Sequence, residues 1–287
     1  MKHIIATIGA AALALTLVLP GANAQEEGGE EGGTVHYPLK HPVEQEWSFA
    51  GPFGTYDKTQ LQRGLKVYTQ VCSACHSLKR VAFRDLADLG YTDEQVKAFA
   101  AEYDVEDGPN ADGEMFTRPG LPTDYFPSPY ENEEQAKVAN GGAVPPDFSL
   151  IAKARGVERG FPRFVFDVFT QYQEGGPDYI YSLLTGYGEE PPAHVNVPEG
   201  LHYNPHFVSG VALAMAQPLY GEDVEYDDGT TATIEQEAHD VAAFQMWAAE
   251  PHLVERKEMG FRVMIFLVLF AAFLYIAKRQ VWSRVEH

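Results

Sequence analysis

Cysteine is scarce in this chain: Cys72 and Cys75 are its only two in 287 residues, and just two positions separate them. No long-range disulfide framework can be built from such a pair, so both thiols need a local explanation. Positive charge is scarce as well, with 21 Lys and Arg against 41 Asp and Glu and a formal charge of −20. That balance argues against nucleic acid as a partner, since phosphates need cationic neutralisation. It suits a basic protein partner or plain solubility. Internal repeats are lacking and alternating strand patterns are weak. Long uninterrupted helices are few, because 19 prolines and 26 glycines punctuate the chain. What is there is 45% hydrophobic, enough for one sizeable core and unlike a disordered chain. The expected fold is mainly α and rich in irregular loops.

Both ends carry segments that address a membrane. Met1-Lys2-His3 is a basic start, residues 4–19 are nearly all apolar, and Ala22-Asn23-Ala24 forms a small-residue cleavage site. Residues 1–24 therefore read as a secretory signal peptide and are set aside from the fold. Near the other end, residues 259–277 hold one charge, Arg262, and residues 263–277 are uninterrupted apolar sequence. Nineteen helical residues reach about 28 Å at ~1.5 Å each, close to the ~30 Å hydrocarbon thickness. We read an anchor helix at 256–278, with Tyr275 and Trp282 fitting the interfacial aromatic belt. Basic residues flank both ends of it, so the signal peptide decides the orientation. Residues 25–255 are expected on the periplasmic side of the inner (cytoplasmic) membrane, and 279–287 form a cytoplasmic tail.

In the exported part, residues 25–33 are Glu- and Gly-rich and read as an acidic tail. Asp57 with Gln60 three residues on signals a helix start in capping-box fashion. Leu61, Leu65, Tyr68 and Cys72 then share one helical face that runs into the cysteines. Gly64 weakens that helix, which predicts close approach of another backbone. A second helix is expected from Thr233, with Gln236 completing another capping box, until Pro251 stops it.

Cys72-Ser73-Ala74-Cys75-His76 is a C-x-x-C-H motif on an exported segment. Two thiols three positions apart in a helical turn can reach one edge of a porphyrin and form thioethers. His76, next in line, is then placed as proximal ligand to the iron. A thioredoxin-like pair has no need of His76 and sits after a strand in a βαβ unit, which is not seen here. A zinc site needs further Cys or spaced His partners. The motif predicts one covalently bound haem c. For the sixth ligand, Met115, Met215, Met246, Met259 and Met264 are available after the signal peptide. Met215 precedes Gln217-Pro218-Leu219 in a Pro-stiffened loop and is preferred; His194, His202, His206 and His239 are the alternatives. A thioether there raises the potential relative to His and closes the iron to small molecules, which makes an electron carrier.

The ordered set of motifs resembles the cytochrome c1 family, in its bacterial form. It comprises Phe49-Ala50-Gly51-Pro52-Phe53-Gly54, Gln62-Arg63-Gly64, the C-x-x-C-H motif, Arg118-Pro119-Gly120 and Asp124-Tyr125-Phe126-Pro127. It continues in Asn140-Gly141-Gly142 through Asp147, Tyr179 through Tyr187, Ala214-Met215-Ala216-Gln217-Pro218-Leu219, Tyr226-Asp227-Asp228-Gly229-Thr230, and Trp247-Ala248-Ala249-Glu250-Pro251. The resemblance implies a cytochrome c-like haem domain in which Cys72 and Cys75 hold the haem and His76 and Met215 ligate its iron. It also implies that Arg118 pairs with a haem propionate and that Tyr125 and Pro146 line the pocket. By the same resemblance the chain is an electron-transfer subunit, not an enzyme on its own, of the cytochrome bc1 (ubiquinol–cytochrome c oxidoreductase) complex. It would pass electrons from the Rieske iron–sulfur protein to a soluble c-type cytochrome, with its anchor beside cytochrome b and membrane lipid.

Some bacterial members close a loop near the sixth ligand with an extra cysteine pair. This chain has none to spare, so packing is expected to hold that loop. Residues 155–176 resemble a bacterial insertion. Acidic groups at Glu131, Glu133 and Glu134, and at Glu222, Asp223, Glu225, Asp227 and Asp228, are candidates for steering a basic carrier, an effect worth roughly 10 to 10³-fold in association rate. A stand-alone membrane cytochrome, or a haem enzyme with an open iron position, would share much of this pattern. Subunit composition and carbon monoxide binding distinguish them.

Overall fold

A computed structural model describes residues 37–157 and 159–283. The segment at 1–24 expected to be a signal peptide, the acidic segment at 25–33 and residues 284–287 of the expected tail lie outside the described residues. Among the described residues, helices alternate with long irregular connections. They are α1 (Lys58–Val67), α2 (Asp93–Ala100), α3 (Glu133–Ala139), α4 (Ile151–Ala154), α5 (Arg163–Thr170), α6 (Gly175–Thr185), α7 (Ile234–Ala249) and α8 (Leu253–Trp282). Strand structure is confined to two small antiparallel pairs, β1 (Asp104–Asp107) with β2 (Phe116–Pro119) and β3 (His202–Tyr203) with β4 (Ala212–Leu213).

The core forms where α1 crosses α7, with α6 and α4 also packed on α7. Leu61 and Leu65 of α1, with Tyr68 just after it, meet Val241, Phe244, Met246 and Trp247 of α7 in one buried cluster. Gly64 makes the crossing possible. A Cβ there would strike the Asp240 carbonyl oxygen and lie 2.6 Å from Phe244 Cβ. The same crossing is locked in register by Arg63, whose Nε donates to the fully buried Asp240 at 2.8 Å and whose Nη1 donates to Asp228 at 2.8 Å.

Both expected helix starts are present, but each capping box is half made. Asp57 accepts from the N–H groups of Thr59 and Gln60, at 2.9 and 3.3 Å. The Gln60 amide turns to His239 Nδ1 at 2.7 Å instead of back to the cap. Thr233 Oγ1 accepts from Gln236 N at 3.2 Å, while the Gln236 amide donates to Asp240 at 3.0 Å. Tertiary partners have taken the second half of each motif.

The last helix is longer than its apolar run. α8 starts at Leu253, inside the head, where Leu253 and Lys257 are buried. Its remaining side chains are largely exposed as far as Trp282. At ~1.5 Å per residue its 30 residues extend about 45 Å, long and apolar enough to cross a membrane.

Candidate haem site

Local geometry first presents the C-x-x-C-H segment. After Val67 the α1 ladder widens into a π turn at Tyr68–Cys72, with Ser73 N–H donating to Tyr68 O at 2.8 Å. Such wide turns within helices cluster at functional sites. Cys75 N and His76 N then both donate to Cys72 O, at 3.1 and 2.9 Å, which folds the two thiols and the imidazole into one tight turn. Cys75 is exposed and Cys72 partly covered. Burial pushes the Cys72 thiol up to about 12, with smaller contributions from Cys75 and Glu237, so as a free group it is a neutral thiol.

A second segment, seventy residues on, fixes the histidine. His76 Nδ1 lies 2.8 Å from the Pro146 carbonyl oxygen, so Nδ1 carries the proton and Nε2 keeps its lone pair. The ring stacks on Phe148, with centroids 4.1 Å apart. Burial lowers the His76 pKa, while the Pro146 carbonyl and Asp147 oppose it less strongly, and the imidazole is neutral. Asp147 clamps the two segments together. It accepts from Ser77 Oγ at 2.7 Å and from Lys79 N at 3.0 Å, and its other oxygen accepts from Ser149 N at 2.9 Å. Burial works against its charge, but these donors outweigh it and lower its pKa. Phe148 N donates to Ser77 O, and buried Tyr68 donates its hydroxyl to His76 O at 3.1 Å.

The other predicted residues come from separate loops. Tyr125 pairs by backbone with Ala82, leaving its ring half exposed. Arg118, on β2, is held by two carboxylates of its own chain. Its Nε donates to Asp107, and Nη1 and Nη2 donate to Asp124 at 2.6 and 3.1 Å. Nη1 also donates to Pro119 O, so one Nη2 N–H is left for an outside acceptor. The guanidinium holds both Asp124 and Asp107 below the usual carboxylate range. Met215 follows β4 and packs partly buried against the same core as Cys72. Its carbonyl accepts from the Tyr187 hydroxyl at 2.9 Å.

The rival ligands sort by environment. Met246 is fully buried core, while Met115, Met259 and Met264 are exposed. His239 has both ring nitrogens engaged, by Gln60 and by Glu46 O, and stacks on Trp47. His206 is buried with Nδ1 against Lys40 O. No cluster of three or more His, Cys, Asp or Glu side chains fit for a bare ion occurs among the described residues, so the cysteine pair lacks a zinc ligand set.

These residues fit a haem. Cys72 and Met215 border one core, and the oriented, neutral His76 imidazole stacks on Phe148 of the same cluster. The loops that carry His76's partners and Arg118 leave Val144, Leu121 and Tyr125 uncovered, as an apolar macrocycle would require. Sequence reasoning missed Asp147, Phe148 and Tyr68 as the supports of His76. The Asp-x-Ser pattern at 147–149, a helix-start signal, was the available clue. It also missed Asp107 and Asp124 as Arg118's partners. The insertion at 155–176, to which sequence reading assigns no role, is tied within itself by Arg159, which pairs with Asp167 and stacks on Tyr172 at 3.7 Å.

A mainly helical, loop-rich domain with such a turn at the end of its first helix, followed by one long apolar helix, has the make-up of a cytochrome. Comparison with known proteins gives the particular family. The Cytochrome C1 family model matches residues 47–285, and the chain belongs to that family. It is 50% identical to "Cytochrome b/c1" of Bradyrhizobium diazoefficiens over 98% of this chain, and spans 41% of that relative's length. It is 41% identical to "Cytochrome c1" of Rhodospirillum rubrum, over 96% of both chains. To "Cytochrome c1, heme protein, mitochondrial" of Saccharomyces cerevisiae it is 44% identical, over 86% of this chain and 74% of that one. Proteins of this family bind haem and serve electron transfer in the bc1 complex.

Proposed function

We propose that the chain is the single-electron carrier subunit of a cytochrome bc1 complex, holding one haem c through thioethers at Cys72 and Cys75. His76 Nε2 and the Met215 thioether would hold its iron. The observation that carries this reading is the His76 imidazole, neutral, buried and oriented by Pro146 O, immediately beside two cysteines in one turn. When bound, haem supplies a one-electron couple. Everything else is the work of the polypeptide. Pro146 O fixes the tautomer of His76 and strengthens Nε2 as a donor. Phe148 shields the ring, and Asp147 with Tyr68 keeps its backbone in place. Arg118, already paired with two carboxylates, keeps one N–H that would donate to a propionate.

In this reading the electron donor is the Rieske iron–sulfur protein and the acceptor a soluble c-type cytochrome. Residues 1–24 direct export, and α8 spans the inner membrane beside cytochrome b with the haem domain on the periplasmic face. The cluster at 222–228 is less free to steer a carrier than its composition suggests. Asp227 is paired with Lys66 and Asp228 with Arg63. Glu131 and Glu133 of the other cluster are exposed.

The purified membrane complex tests this directly. The reading expects cytochrome b and the Rieske protein to co-purify and a low-spin ferrous spectrum unchanged by carbon monoxide at neutral pH. It also expects carbon monoxide binding in Met215→Leu. A solitary haem protein, or a wild-type haem that takes up carbon monoxide, defeats it.

A further inference from the structure

Two features stand outside the haem site: the 49–54 loop and the insertion at 155–176. The first presents Phe53 to solvent beside the root of α8, and the second, joined to that root at its base, presents further aromatic side chains to solvent. Phe53 is 74% exposed, yet its ring meets Phe261 of α8 edge-on at 5.6 Å. In the same loop Phe49 O accepts from Lys257 Nζ at 2.6 Å, and Gly51 N donates to Glu174 at 3.3 Å. Glu174 is near the end of the insertion, and its neighbour Gln173 accepts from Arg256 Nη2 at 3.0 Å. The base of the insertion is thus pinned to α8 less than two turns before Phe261.

Within the insertion, Phe161 is 83% exposed, and Phe164, Val165 and Phe166 of α5 are exposed with it. Arg159, Arg163 and Asp167 of the same stretch are tied to the head or to one another. Arg163 donates to Glu44 at 2.7 Å, and Arg159 pairs with Glu44 and Asp167. A short amphipathic helix with aromatic residues outward and its ions satisfied, in a segment joined at its base to the root of α8, has the chemistry of an interfacial segment. Such segments settle about 5–10 Å into the headgroup–acyl boundary. In water the same patch would be an association hazard.

We propose that Phe53 and the apolar face of α5 rest in the interfacial layer of the phospholipid bilayer beside α8, so that the insertion sets how the head stands on the membrane. This rests on the reading of α8 as a membrane span.

Spin labels on single cysteines test it, because the native thiols are consumed if both carry haem. Phe53→Cys and Phe166→Cys are labelled in the haem-loaded complex, reconstituted in phosphatidylcholine–phosphatidylglycerol vesicles. Leu267→Cys on α8 and Glu133→Cys on the exposed start of α3 serve as references. Collision rates with oxygen, which favours lipid, and with a nickel chelate, which favours water, are compared. The proposal expects oxygen-to-nickel ratios at both sites above that at Glu133 and below that at Leu267. A water-like ratio at either site overturns it, as does exclusion of both colliders, which means another subunit covers the patch. If Leu267 itself reads as aqueous, the span reading fails and this inference with it. A lipid-like Leu267 with aqueous Phe53 or Phe166 removes the inference alone.

Discussion

Glu237 lies on α7 with no exposed surface, facing the chain that leads from Met215 back to that helix. Its Oε1 accepts from the backbone N–H groups of Asp223 and Val224, at 3.0 and 3.3 Å, while Oε2 has no hydrogen-bond partner among the described residues. Burial, reinforced by the nearby Asp223 carboxyl, pushes its pKa from 4.5 up to about 7, against the pull of the two backbone donors. The folded state therefore keeps a proton that the unfolded chain releases. Because the folded value is the raised one, the contribution to stability is complete below pH 4.5 and is lost as pH rises through 7. A rise of this size corresponds to about 3 kcal/mol. Glu237→Gln keeps the acceptor for both N–H groups and removes the ionisation. Urea unfolding of the haem-loaded chain in detergent, followed by circular dichroism from pH 5 to 8, gives the comparison. Variant and wild type should differ by less than about 1 kcal/mol near pH 5 and diverge as pH rises, with the variant more stable by up to about 3 kcal/mol at pH 8. Other titrating groups cancel in the difference. Parallel curves across the range would refute the reasoning, since the carboxyl would then ionise alike in both states.

Gly64→Ala should lower stability by about 1–3 kcal/mol despite alanine's better helix propensity, because the added methyl meets the Asp240 carbonyl and Phe244; a stability equal to or above wild type in the same unfolding assay would contradict the close approach. Asp240→Ala should destabilise by about 3 kcal/mol, the lower end for breaking a buried pair, since Arg63 keeps Asp228; a loss below about 1 kcal/mol would show that the pair adds little. Asp147→Ala removes the clamp on residues 77–79 and should loosen His76, read as a lowered midpoint potential and a partly high-spin spectrum; an unchanged spectrum would separate the clamp from the ligand.

What could be read in the sequence was what local chemistry writes there. Cys72, Cys75 and His76 are neighbours, so their spacing alone predicts that they share one turn, and they do. Asp57 and Thr233 announce helices because a cap is satisfied within three residues, and Gly64 signalled a crossing because few other causes favour glycine mid-helix. The apolar run of α8 was equally plain. Partners distant in sequence were not. The Pro146 carbonyl that orients His76 is a backbone atom seventy residues away, and nothing in residue type reports it. Gln60 and Gln236 match capping boxes in sequence, yet each amide finds a better-placed partner once α1 and α7 pack. Arg118 was assigned to an outside carboxylate, and the fold supplies Asp107 and Asp124 first. The start of α8 was placed late because Leu253 and Lys257 belong to the head, where burial and not hydropathy continues the helix.

The central claim is that the two thiols of one helical turn are permanently bonded to a porphyrin. Trypsin should release residues 67–79 as one peptide spanning Cys72 to His76. After acidified acetone has stripped any loosely held pigment from the purified protein, mass spectrometry should find that peptide heavier by one haem, and Cys72→Ala with Cys75→Ala should abolish the increment. The same peptide at its bare mass, with both thiols free to alkylate, would contradict the account.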